Sequence, residues 1–370
     1  MGLGERQLRR LFMAHVGAGP QAVAANRRLL TAKQLISDTD MPLADVAFAA
    51  GYRSLRRFND AILNAYGVPP GALRRTGSPL PGGSIRIRLG FRPPYDFEHL
   101  LGYLHARALP GVEQVHAGHY HRLFSLDNIR GLIDVSLASD GRALEARITP
   151  LETNGQVLPV RQLAARLRRL FDLDADPGAI HAVLGNDPLI GPRLARVPGL
   201  RVPGAFDGFE LAVRAVLGQQ VSVRGATTLT GRLIARLGVP LATPVDGLTH
   251  FFPTSAALAA GSLDGLGITG QRIRTLHTLA QAVTDGAVEF SPGTDLATLT
   301  ALPGIGDWTA HYIALRALGE PDAFPAADLG LRKAAGQDTP VSARDLEQLA
   351  EPWRPWRGYA ALALWTLPPD

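Results

Sequence analysis

The chain of 370 residues contains no cysteine. That absence excludes disulfides, thiol nucleophiles, thiolate zinc sites and cysteine-ligated iron–sulfur clusters. Nor is there an uncharged stretch near the roughly 20 apolar residues needed to cross a bilayer, so no membrane partner is expected. Met1–Arg10 carries charge without an apolar core, so no secretory signal is read there. β-Branched runs are short while Ala, Leu and Arg abound, which points to a mainly helical chain with one small sheet. Hydrophobic residues at 46% and charged residues at 19% describe globular material. The length suits two or three domains.

The chain also lacks a general excess of charge. Its formal net charge is +5, yet residues 1–76 hold 11 Arg and Lys against 5 Asp and Glu, whereas the remainder holds 27 against 28. The basic arm is N-terminal, and any nucleic-acid contact further along must depend on local groups.

In that arm, Leu8, Leu11, Phe12 and His15 recur at helical spacing until Gly17-Ala18-Gly19-Pro20. A long helix is expected over residues 21–36. A short one follows over 42–47, with Pro42 suited to its first turn. After Gly51, Ser54 is placed to cap another helix through Arg56, Arg57 and Phe58. A short helix, a tight glycine turn and an Arg-rich second helix is helix-turn-helix grammar. The second helix would enter a major groove with Arg53, Arg56 and Arg57 toward DNA, while Leu55 and Phe58 lock it onto its partners. A helical bundle with a solvated basic face is the competing reading.

Residues 77–83, Gly77-Ser78-Pro79-Leu80-Pro81-Gly82-Gly83, read as a linker. Beyond it, alternation predicts strands over 84–89, 131–137 and 143–148, with helices over 96–109 and 160–171. Residues 84–205 therefore read as a small α+β domain with antiparallel strands. His119-Tyr120-His121 places two imidazoles on one side of a strand, but no third ligand is evident, so no metal and no cofactor are expected.

Residues 206–370 read as all-helical, with helices over 209–217, 223–237, 254–260, 270–284 and 295–300. Between two helices stands Leu302-Pro303-Gly304-Ile305-Gly306-Asp307-Trp308. Pro303 ends a helix, the two glycines allow tight dihedrals and close approach, and Ile305 anchors the turn. Its backbone N–H groups and the next helix start would cradle a phosphate. A glycine turn without ligand is the plainer alternative. Twenty residues on, Asp328 is expected to open a helix, where it serves as an N-cap, as a carboxylate placed for chemistry at a deoxyribose, or as both.

Several of these segments resemble known families. "RLLTAKQLI" and "ADVAFAAGYRSLRRFNDAILNAYGVPPGALR" resemble the linker helix and second helix-turn-helix of AraC-type transcription regulators. Gly4–Phe12 resembles the recognition helix of the family's first motif, which implies DNA contacts for Arg6, Arg9 and Arg10. That first motif looks truncated, its supporting helix expected ahead of Met1. The Gly/Pro hairpin with its trailing aspartate is similar to the helix-hairpin-helix glycosylase superfamily. "FRPPYDFEHLLGYLHARALPGVE", "FELAVRAVLGQQVS", "LPGIGDWTAHYIALRALG", "FPAADLGLR" and "WRPWRGYAALALW" are similar to the 3-methyladenine DNA glycosylase II family over residues 84–370. The whole chain resembles bacterial fusions of an adaptive-response regulator with an alkylation glycosylase.

The resemblance implies a mainly α protein with an α+β middle domain. It implies an N-terminal helix-turn-helix over 1–76, a small antiparallel-sheet domain over 84–205 and a helix-hairpin-helix glycosylase domain over 206–370. It implies excision of alkylated purines such as 3-methyladenine and 7-methylguanine, with Asp328 catalytic, Pro303–Gly306 on the DNA backbone, and Trp308, Tyr312, Trp365 and Tyr103 forming an aromatic base pocket. Methylation leaves the purine cationic, so stacking and cation–π attraction of roughly 0.5–2 kcal/mol each would hold the flipped base. Trp308 stands where bifunctional relatives carry a lysine, so hydrolysis without β-elimination is expected. The family's wedge, a residue that fills the gap left by the flipped base, corresponds to Gln220. The expected partners are double-stranded DNA bearing alkylated bases, promoter DNA and RNA polymerase. The protein is expected as a cytoplasmic, nucleoid-associated monomer. A non-catalytic transcription regulator of the alkylation response is the alternative.

Overall fold

Apolar stripes that end at glycine or proline divide the N-terminal third into helices. The computed structural model describes residues 4–74, 83–336 and 339–367. Most of the linker expected at 77–83 lies outside the described residues. Helix α1, Glu5–Val16, stops at Gly17, whose φ of 71° closes it in the left-handed conformation. None of its residues is buried, and Leu8, Leu11, Met13 and Val16 all stay exposed. Helix α2, Pro20–Asp38, starts on a proline at N1. Helices α3, Leu43–Ala49, and α4, Leu55–Tyr66, flank a turn through Gly51 at φ 89°. Ser54 caps α4, its Oγ accepting from the Arg57 N–H at 3.3 Å. Phe58 and Ile62 face inward with no exposed surface, and Tyr52 meets Phe58 edge-on with centroids 5.6 Å apart. Leu55, expected to help lock this helix, instead remains 42% exposed. It sits at the first position of α4, before the helix turns its apolar side inward.

Strands β1, Ile85–Gly90, β2, Glu113–His116, β3, His119–Leu126, β4, Ile129–Leu137, and β5, Ala143–Glu152, form a sheet in the order β1-β5-β4-β3-β2. Helix α5, Phe97–His105, lies between β1 and β2 in the chain. By contacts the chain divides into two compact units, one of residues 1–89, 126–131 and 145–161, the other of 90–125, 132–144 and 162–370.

The second unit is mostly helical. It contains nearly all of α6, Val160–Leu170, with α7, Pro177–Leu184, α8, Gly191–Arg196, α9, Gly208–Leu217, and α10, Val223–Leu237. A two-stranded hairpin follows, β6, Val239–Val245, and β7, Leu248–Phe251, joined by Asp246-Gly247 with φ of 47° and 83°. Then come α11, Ser255–Ala260, α12, Gly270–Thr284, α13, Leu296–Thr300, α14, Asp307–Ile313, α15, Leu329–Ala335, α16, Ala343–Leu349, and α17, Arg357–Thr366. Helix α9 is apolar nearly all round and is the centre of this unit, against α10, α12 and α14. No helix among the described residues is long and apolar enough to cross a membrane.

Two buried polar arrangements stand out in this unit. Arg122 donates to Glu210 at 2.8 Å, Arg214 donates to Glu113 at 2.8 Å, and the Tyr120 hydroxyl donates to Glu113. Each buried charge therefore has a partner, as burial requires. The second is Asp172, whose Oδ2 accepts from the Tyr359 hydroxyl at 2.8 Å and the Val202 N–H at 3.0 Å. Burial outweighs these donors and the nearby Arg201 guanidinium, and pushes the Asp172 carboxyl up to about 7.

A pH dependence follows. The folded state keeps the Asp172 proton where the unfolded carboxyl, at about 3.9, has lost it. The associated stability is complete below about pH 4 and is lost as pH rises through about 7, an upper bound of about 4 kcal/mol. Asp172→Asn preserves both accepted hydrogen bonds and removes the titration. Urea midpoints at pH 4 and pH 7 should show the variant gaining on wild type as pH rises; a constant difference between the two would refute the assignment.

Candidate active site

All the chemistry-bearing residues of this site belong to the second unit. Helix α13 ends at Thr300 with Ala301 as its C-cap, and the chain turns through Pro303, Gly304 and Ile305 into α14. Gly304 has φ 88°, and a Cβ there would lie 1.9 Å from Thr275 Oγ1 on α12. Only glycine meets both conditions. Ile305 is buried, whereas Pro303, Gly304 and Gly306 are exposed. Gly306 is the N-cap of α14 and offers no side-chain acceptor, which leaves the first amides of that helix without a cap from it. Sequence reasoning missed Gln219. Its Nε2 donates to the Gly304 carbonyl and to Thr309 Oγ1, both at 3.0 Å, and ties the turn after α9 to the hairpin.

Asp328 is the N-cap of α15. Its Oδ1 accepts from the Leu331 N–H at 2.9 Å and from Trp365 Nε1 at 2.9 Å, and its Oδ2 accepts from Trp308 Nε1 at 2.9 Å. Three N–H donors on three different helices thus fix both carboxylate oxygens. Gly330 keeps this corner open, because a Cβ there would come within 2.9 Å of Asp328 Oδ1.

The indoles belong to an aromatic wall. Trp308 and Tyr312, one helical turn apart on α14, stack with centroids 5.4 Å apart and planes within 8°. Trp365 meets Tyr312 edge-on at 6.2 Å. A cavity of about 340 Å³ opens beside them, lined by Tyr103, Arg107, Arg214, Trp308, Tyr312, Asp328 and Trp365. The structure therefore brings together five residues singled out in the sequence, Asp328, Trp308, Tyr312, Trp365 and Tyr103.

Arg316 does not line that cavity but is bonded to two of the tyrosines that do. After α14 the chain makes a π-helical turn over 314–318, and Arg316 on this turn is buried. Its guanidinium donates to the hydroxyls of Tyr312, at 2.9 Å, and Tyr103. Burial pushes the Tyr103 hydroxyl up. Burial alone would do the same to Tyr312, but the guanidiniums of Arg316, Arg107 and Arg214 hold it below the usual phenol range. The Arg107 guanidinium lies 3.7 Å over the Tyr103 ring.

Gln220 lies in the turn between α9 and α10 with φ 54°, exposed, and its neighbour Val221 lines the cavity. The chain has two lysines, Lys33 and Lys333. Neither lines the cavity; Lys333 is exposed on α15. In the first unit, Arg6, Arg9 and Arg10 on α1 and Arg53, Arg56 and Arg57 around the start of α4 are all exposed. Arg56 has a weak i,i+4 contact of 4.0 Å with Asp60.

Comparison with known proteins gives three matches along the chain. Residues 1–76 match a helix-turn-helix domain, 86–207 the AlkA N-terminal domain, and 213–355 the HhH-GPD superfamily of base excision DNA repair proteins. A probable bifunctional transcriptional activator/DNA repair enzyme AlkA of Mycobacterium tuberculosis is 42% identical over 99% of this chain and 75% of its own length. The DNA-3-methyladenine glycosylase 2 of Escherichia coli is 36% identical, covering 75% of this chain and 95% of its own. Among solved structures, a 3-methyladenine DNA-glycosylase from Archaeoglobus fulgidus shares the fold with a TM-score of 0.64 at 22% identity, over 75% of this chain and 96% of that one.

Proposed function

The chain belongs to the AlkA family of DNA-3-methyladenine glycosylases, within the HhH-GPD superfamily of base excision DNA repair proteins, and on that premise we propose that it excises alkylated purines by hydrolysis alone. The observation that carries this reading is the Asp328 carboxylate, held by two indole N–H groups that themselves wall the cavity.

The substrate would be an N3- or N7-methylated purine in duplex DNA, 3-methyladenine and 7-methylguanine among them. Rotated out of the stack, the base enters the cleft against Trp308, Tyr312, Trp365 and Tyr103. The carboxylate stabilises cationic character at the sugar as the glycosidic bond breaks, and the base departs with the bonding electron pair. Water adds to the anomeric carbon and loses a proton. Arg214 also borders the cavity, but its charge is paired with Glu113 at 2.8 Å and Glu210 at 3.5 Å. The hairpin Pro303–Gly306 grips a phosphate through backbone N–H groups, and Gln220 occupies the gap left by the flipped base. A Schiff base needs an amine at the sugar. Trp308 fills the place beside Asp328 where a lysine would serve, and no lysine lines the cavity.

The N-terminal helix-turn-helix, residues 1–76, adds sequence-directed binding to promoter DNA through Arg53, Arg56 and Arg57, with Arg6, Arg9 and Arg10 on the preceding helix and RNA polymerase as partner. Residues 84–205 and 206–370 make up the glycosylase. The protein acts as a cytoplasmic, nucleoid-associated monomer.

The test is base release from duplex DNA carrying N-methylpurines, with strand breaks scored before and after alkali. Free base with breaks only after alkali is the expected result. Breaks before alkali would overturn hydrolysis alone, and no release from a folded, DNA-binding protein would leave a regulator built on a repair fold.

A further inference from the structure

The histidines of the β2–β3 hairpin do not line the base cavity. Ala117-Gly118, with φ of 50° and 78°, joins the two strands, and the register sets Gln114 opposite His121 and His116 opposite His119. His119 and His121 stand two residues apart on β3, so their side chains share a face of the sheet. β4 runs beside β3 and brings Asp134 to that face. The third donor is thus supplied by the next strand, where nothing in the spacing of the histidines would announce it.

His119 Nδ1 lies 2.7 Å from Asp134 Oδ1, and His121 Nδ1 lies 3.7 Å from the same oxygen. The imidazoles are nearly parallel, 11° apart with centroids at 5.7 Å, and the three donor atoms lie within 4.8 Å of one another. The shorter distance is a hydrogen bond, but the longer one exceeds any hydrogen bond. In a tetrahedral zinc site with bonds of about 2.0–2.1 Å, ligand atoms stand about 3.3 Å apart, a value these two distances bracket. The side chains are 41%, 20% and 28% exposed, so strands on both sides hold them while water has access to complete a coordination sphere.

We propose that His119, His121 and Asp134 bind a divalent cation of the zinc class, at a site separate from the base cavity. The donor set is two imidazoles and one carboxylate, which favours borderline first-row ions over magnesium or calcium.

Equilibrium dialysis of the full chain against micromolar zinc, after chelation and desalting, tests this. Wild type should bind one equivalent. His121→Ala and Asp134→Asn should each weaken binding by at least about tenfold, since even outer-shell changes weaken metal sites by that much. Base release and circular dichroism should stay unchanged in both. His105→Ala, at an exposed histidine outside the trio, should bind as wild type does. The proposal fails if wild type binds no zinc at micromolar concentration, if both site variants bind it undiminished, or if His105→Ala loses it equally.

Discussion

Asp328→Asn should lower the single-turnover rate of base release by about 10²–10³-fold or more while leaving the fold intact, the scale expected when one preorganised electrostatic group is removed from an active site. Asn is as good an N-cap as Asp, so α15 keeps its start and stability changes little. The chemistry differs. An amide that keeps its oxygen toward the Leu331 N–H and Trp365 Nε1 turns its NH₂ toward Trp308 Nε1, also a donor. The flipped amide sets a donor against the other two. Either way the negative charge is gone and one indole loses its acceptor, Trp308 in the first orientation and Trp365 in the second, so that ring loses part of what orients it. Circular dichroism and urea unfolding establish the fold, and rapid-quench release of 7-methylguanine from duplex DNA reads the rate. A folded variant with an unchanged rate would remove Asp328 from the chemistry.

Much of the fold and of the site could be read along the chain because their parts announce themselves locally. Helix α10 spans the expected residues, Ser54 caps α4, and Ile305 is buried between exposed glycines, all from signals within a few positions. Asp328 was ambiguous between cap and chemistry, and it caps α15 while facing the cavity. What escaped depends on distant partners. Strands β2 and β3 break the alternation because Glu113 and Arg122 are buried charges, neutralised by α9 residues some ninety to a hundred positions away. Arg316 reads as a solvated helix residue, and only packing puts it beneath Tyr103 and Tyr312. Gln219 meets Gly304 across 85 positions. The β6–β7 hairpin did carry a local signal, Asp246-Gly247, but its strands hold Pro240 and Pro244 and alternate poorly.

Gly304→Ala should cost about 2–4 kcal/mol of stability, combining left-handed strain with overpacking, and should weaken productive DNA binding. The added methyl would meet Thr275 Oγ1 at 1.9 Å and Thr275 Cβ at 3.0 Å, and Thr275 is itself buried on α12. The hairpin must move outward. Doing so displaces the Gly304 carbonyl from Gln219 and tilts the amides proposed to grip the phosphate. Because those amides carry no formal charge, base release at subsaturating enzyme should fall while its dependence on salt concentration, which counts Lys and Arg contacts, stays the same. Thr275→Ala separates the two causes. Combined with Gly304→Ala it removes the obstructing hydroxyl, so it should restore the overpacking share of the stability and leave the dihedral share lost. A double variant as unstable as the sum of the singles would show that the clash is not the source. Native affinity and stability in Gly304→Ala alone would mean that the hairpin does not depend on this dihedral, and the backbone-gripping role assigned to Pro303–Gly306 would go with it.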